Sequence, residues 1–280
     1  MSDNPHDQLK EIVQQPGAPL GLARGALQIA RLEYPDLDVD AYLEQIRILA
    51  DRVKRGCAKG SGDRQRLQQL NRVLFYEFGL SPNNDDYYEP GNSYLNRVLD
   101  ERKGIPISLS VIYIETGRLA GLDLEGVSFP GHFLVRANLD GVVVTLDAFA
   151  RGSELSAADL DAHVRQIPAL RRVKSQGLAQ LLENASTADI LLRMLRNLGA
   201  ILLQSGKLEK ALDHIEASLA IDPTQAVEIR NRGLILEQLE CFSSAIQDLQ
   251  RYLQLVPNAE DAHAMQGKIV ALQKNRTQLH

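Results

Sequence analysis

The sequence predicts an α+β domain followed by an all-α repeat array. Three observations carry this. The run from Ile107 to Leu119 is apolar nearly all round, the mark of a helix buried at the centre of a domain. Three short β-branched or aromatic runs follow it, LEGVSF, HFLVRAN and VVVTLDAF, separated by Pro-Gly and Asp-Gly turn signals. About the last hundred residues then repeat with a period of 34, the length of a helical hairpin unit.

The elements follow in order. Met1 to Gly17 is polar and reads as a flexible tail with room for one short helix. Leu20 to Tyr34 reads as a helix that stops before Pro35, because proline disfavours helical geometry in the residue before it. Asp38 is the expected N-cap of the next helix, with Val39, Leu43, Ile46, Leu49, Ala50 and Val53 as its apolar stripe. A further helix, RQRLQQLNRVLFYEFG, ends near Gly79. LSPNNDDYYEPGN is loop by composition. Its Asp85, Asp86 and Glu89 lack the spacing of a calcium loop, so no metal site is expected there. Asn92 or Ser93 can cap the helix SYLNRVLDERK. Pro106 suits the first position of the central helix, where its missing N–H leaves nothing unpaired. Asp140-Gly141 marks a hairpin in the antiparallel sheet that follows. Beyond Gly152 the chain is polar and helical again, with Pro168 as a break.

The repeats begin near residue 184. Gly199, Gly233 and Gly267 share the 34-residue spacing, as do Ala211 with Ala245, Leu219 with Leu253, and Pro223 with Pro257. Small residues such as Gly199 and Ala211 are expected to let paired helices approach closely. The prolines end each unit, since a helix does not continue through them unbroken. This pattern resembles the tetratricopeptide family, with Leu195 and Ile229 in place of an early aromatic and Arg232 where leucine is usual. Two repeats and a capping helix are expected, either as a buttress for the α+β domain or with a protein or peptide as the partner of their concave face. The expected domain bounds are 1–17 for the tail, 18–183 for the α+β domain and 184–280 for the repeats.

Composition narrows the function classes. The chain has 280 residues, 44% hydrophobic and 24% charged, as in globular proteins. A net charge of −5 argues against a general nucleic-acid backbone binder, and the cluster Arg165, Arg171, Arg172 and Lys174 reads as a solvated face. Two cysteines make no disulfide framework, no apolar run reaches the ~18 residues of a membrane span, and the N-terminus lacks an apolar core for secretion. A cytoplasmic location without membrane contact is the expectation, and no cofactor is implied.

The candidate site lies in GIPISLS, FPGHF and LDAF. The order is helix start, then His132 on a strand, then Asp147 on the next. A nucleophile at a helix N-terminus, a histidine to take its proton and an aspartate to orient the imidazole would form a hydrolytic triad. Neither Cys57 nor Cys241 falls at that helix start. NSYLNRVLDERKGIPISLSVIYIETGRLAGLDLEGVSFPGHFLVR, together with LDAF and the upstream IARLEYPDLDVDAYL, closely resembles the SirB-type branch of the transglutaminase-like proteins. The resemblance spans nearly the whole chain after about residue 18. It implies a papain-like, transglutaminase-type core and a regulatory role in bacteria. In active relatives the helix opens on a Gly-x-Cys string, whose cysteine would fall at Pro106. His132 and Asp147 match the family's histidine and aspartate. The expectation is therefore a non-catalytic binding protein on a degenerate transglutaminase-like domain. The alternative is a hydrolase or acyltransferase using Ser108, His132 and Asp147, with Ser108 two residues beyond the missing cysteine.

Overall fold

The computed structural model describes residues 4–167 and 180–278, which form two compact units. The first spans residues 11–194. Its helices are α2 (Gly21–Arg31), α3 (Val39–Gly56), α4 (Asp63–Asn71), α5 (Leu95–Glu101), α6 (Pro106–Leu119) and α7 (Ala157–Gln166). A π-helical turn, Arg72–Glu77, extends α4, and a 3-10 turn, Pro90–Asn92, precedes α5. Asp38 caps α3 by accepting from the Ala41 amide at 3.1 Å, and all six stripe residues of that helix are buried. For α5 the expected cap differs. Tyr94 occupies the N-cap position, where no side chain caps the helix, and the Asn92 side chain is engaged with Asn83, Asp86 and Tyr87.

Helix α6 is the axis of this unit. Every residue from Pro106 to Gly117 is buried, so its all-round apolar pattern reflects neighbours on every side. Beside it lies an antiparallel sheet, β3 (Asp123–Val127), β4 (Leu134–Leu139), β5 (Val142–Asp147) and β6 (Ser153–Leu155), in sequence order. Asp140 and Gly141 both take positive φ, 51° and 87°, as a two-residue turn between twisted strands requires. A second, minimal sheet pairs β1 (Ser81–Pro82) with β2 (Lys103–Gly104) in parallel.

The second unit comprises residues 195–280 with the first ten of the chain, which contribute most of α1 (Pro5–Val13). The stretch read as a tail therefore carries a helix, and its Leu9 is fully buried. The unit boundary falls inside α8 (Thr187–Gln204). Then come α9 (Leu208–Ile221), α10 (Ala226–Gln238), α11 (Phe242–Leu255) and α12 (Ala262–Gln278). One apolar core joins α8 to α12 through Leu202, Ala211, Ile215, Ile229, Ile235, Leu249, Tyr252, Met265 and Leu272. At Gly233 an added Cβ would sit 3.1 Å from Leu249, so the close approach expected of small residues holds there. At Gly199 nothing among the described residues lies within 4 Å of that position, and their packing does not require glycine.

Candidate functional site

The start of α6 carries Pro106 and, two residues on, Ser108. Pro106 occupies the first helical position, as the turn Gly104-Ile105 delivers the chain into the helix. Ser108 lies one turn in and has no solvent exposure. Its Oγ accepts from the Ile105 amide at 3.1 Å and so caps α6. It lies 2.6 Å from the carbonyl oxygen of Asn92, to which it donates, and 3.2 Å from that of Ile105. Asn92 in turn ties down the preceding loop. Its Nδ2 donates to the carbonyls of Asp86 and Tyr87, and its Oδ1 accepts from Asn83. Ser108 thus fastens the 83–92 loop to α6, and its oxygen makes no bond to His132.

His132 and Asp147 are brought together. His132 Nε2 lies 3.0 Å from Asp147 Oδ2, with both side chains largely buried. His132 was expected on a strand, but β4 begins two residues later, at Leu134. Gly131 takes φ 69° and the His132 amide donates back to Phe129, so the Pro-Gly turn runs through the histidine. The β4–β5 register pairs Val135 with Leu146, which sets the chain just before β4 beside Asp147. The other carboxylate oxygen of Asp147 accepts from the Phe149 amide at 2.8 Å, and the Phe149 ring meets the imidazole edge to face. Asp147 is therefore fixed by its own turn and orients His132 through Nε2, so that Nδ1 is the acceptor in the neutral imidazole.

Several residues that hold this geometry were missed in the sequence. Arg193, on α8, donates Nη1 to the Phe129 carbonyl at 3.0 Å and Nη2 to the His132 carbonyl at 2.7 Å, with its guanidinium over the Phe133 ring. An arginine in the apolar string DILLRMLRNLG was the available signal. Tyr113 of α6 donates to Asn71 at 2.6 Å, and Asn71 donates to the Gly152 carbonyl, whose residue closes the turn at Asp147. Tyr113 is wholly buried, which pushes its hydroxyl far up and keeps it a donor. His163 of α7 lies beside His132, ring centres 5.6 Å apart, and no sequence signal marked it.

Glu115, deep in α6, does not meet Arg97 or Arg136, the partners its burial suggested. Arg97 pairs with Glu101, and Arg136 reaches Asn184. Glu115 Oε1 accepts from the amides of Leu22 and Ala23 at 2.9 and 3.2 Å, capping α2 from a distance in sequence. Burial pushes its carboxyl above the ordinary 4.5, against the lowering pull of those amides and of Arg118. A cavity of about 510 Å³ opens beside it, lined by Leu20, Leu22, Arg118, Glu125 and Ile190 among others. His132, Asp147 and Ser108 are not among its walls. Cys57 ends α3, and Cys241 opens α11 in the repeat unit. Arg165 pairs with Asp161, while Arg171, Arg172 and Lys174 lie outside the described residues.

Comparison with known proteins accounts for this layout. Residues 40–196 match the family model of the transglutaminase-like superfamily, and residues 198–267 match that of the tetratricopeptide repeat. The chain belongs to the transglutaminase-like superfamily. Within that family it is similar to a UPF0162 protein of Xylella fastidiosa strain Temecula1, 39% identical over 93% of each chain. A UPF0162 protein of Vibrio cholerae is 30% identical over 90% of this chain and 92% of its own. Protein SirB1 of Salmonella typhimurium is 26% identical over 91% of this chain and 93% of its own. The start of α6, the turn before β4 and the end of β5 carry Pro106, His132 and Asp147 respectively. Tetratricopeptide repeats as a class mediate protein–protein interaction. Among the described residues, no helix is long and apolar enough to cross a membrane.

Proposed function

We propose that this transglutaminase-like protein is a non-catalytic, protein-binding regulator of the bacterial cytoplasm. The start of α6 carries the reading. Pro106 has no nucleophilic atom, and the Ser108 hydroxyl is already given to the Asn92 carbonyl in a fully buried setting. A serine hydrolase would need that hydroxyl turned toward His132, at the loss of the α6 cap and of the tie to the 83–92 loop. The retained His132–Asp147 bond then serves to shape the domain or hold a ligand. The repeats supply a surface for a protein or peptide. Val227, at the start of α10, is 53% exposed and offers an apolar contact. The test is affinity capture with the full chain and with Val227→Asp. A partner retained by the parent and by His132→Ala, but lost with Val227→Asp, is the expected result. Absence of any specific partner, where a control repeat protein captures its own, would sink the reading.

A further inference from the structure

We infer that His132 and His163 form a two-imidazole site for a borderline divalent metal ion of the zinc or nickel kind. This goes beyond the binding role proposed for the chain and does not depend on it. Each ring has one nitrogen tied to an oxygen that can only accept. His132 Nε2 is 3.0 Å from the Asp147 carboxylate, and His163 Nδ1 is 3.0 Å from the Asp159 carbonyl. In their neutral forms, both bonds place the proton on the tied nitrogen and leave a lone pair on the other. A carboxylate or carbonyl behind each imidazole is the arrangement that holds and orients metal-ligating histidines.

The spacing agrees. Two imidazoles on one zinc ion, each bound at about 2.1 Å, have ring centres roughly 5–6 Å apart. Here the centres are 5.6 Å apart, with the ring planes inclined by 32°. The main chain that carries each ring is held. Arg193 fixes the turn of His132 through the Phe129 and His132 carbonyls. Leu160 and Val164 of α7 pack against Val127, Phe129 and Leu134, which places His163 beside the histidine turn. Nitrogen donors select zinc, nickel or copper over magnesium or calcium, which prefer oxygen. Among the described residues no third histidine, cysteine or carboxylate completes a cluster. The remaining coordination positions are therefore open to water or to a donor atom of a bound partner, as in metal sites that exchange ligands.

The test is calorimetric titration of zinc chloride into the full chain carrying Cys57→Ser and Cys241→Ser, since free thiols are themselves zinc ligands. The other four histidines remain as internal controls. The expected result is one saturable equivalent, weakened at least about tenfold by His132→Ala and by His163→Gln, and similarly by Asp147→Asn. His163 is only half-buried on a surface helix, so its replacement leaves the core intact. In the unsubstituted imidazoles, the ring resonances of both histidines should shift together as the first equivalent is added. Absence of saturable binding, binding indifferent to His163→Gln, or resonances of only one ring responding would each overturn the site and leave a stacking contact.

Discussion

Glu115 shows how one buried group can tie distant parts of a chain. Its carboxylate caps α2 across more than ninety positions of sequence, and burial raises its proton affinity. Because the folded-state value lies above the unfolded one, the folded chain holds this proton more tightly. The associated stability is complete below about pH 4.5 and falls as pH rises through the raised value. Glu115→Gln keeps the acceptor oxygen and removes the ionisation. Its urea midpoint should therefore decline less between pH 4.5 and 7.5 than that of the parent. Equal declines would show that Glu115 does not carry the effect. Glu115→Ala leaves the amides of Leu22 and Ala23 without their acceptor and should cost about 1–3 kcal/mol at either pH. Residue-scale legibility had a clear limit here. The sequence showed that Glu115 needs a partner, but the start of α2 has no capping side chain of its own to mark its amides as that partner.

Elements were legible where their period was strong. The α3 stripe, the Asp140-Gly141 hairpin and the repeat helices could all be read, because local spacing dictates which face is buried. The exceptions arise where a tertiary contact decides. The Pro-Gly turn consumes His132 and delays β4, with Arg193 holding its carbonyls. Arg232, the departure from a usual leucine, is explained within the repeat. Its Nε and Nη2 bind Asp248 at 2.6 and 2.7 Å, joining α10 to α11 where an apolar contact would otherwise lie. Asp248 is nearly buried, so removing one partner strands the other. Arg232→Leu alone should cost about 3–5 kcal/mol by thermal or urea unfolding. Arg232→Leu with Asp248→Leu should recover most or all of it. A double variant no better than the single would mean the pair does not act as a unit.

At the scale of the whole molecule, the chain joins a transglutaminase-like unit to a repeat unit. The His132–Asp147 pair was readable because His132 follows a Pro-Gly turn signal just ahead of one strand and Asp147 ends the next. Arg193, Asn71 and His163 were not, since each reaches the site from another element, and Tyr113 of α6 acts only through Asn71. On the proposed function, His132 and Asp147 persist without a working nucleophile. The most direct measurement is peptide mass spectrometry after treating the native chain with a fluorophosphonate that labels activated serines, beside an active serine hydrolase as control. The account predicts a labelled control and no adduct on Ser108, whose hydroxyl stays on the Asn92 carbonyl. A stoichiometric adduct on Ser108 that disappears with His132→Ala would contradict it and make the chain a hydrolase.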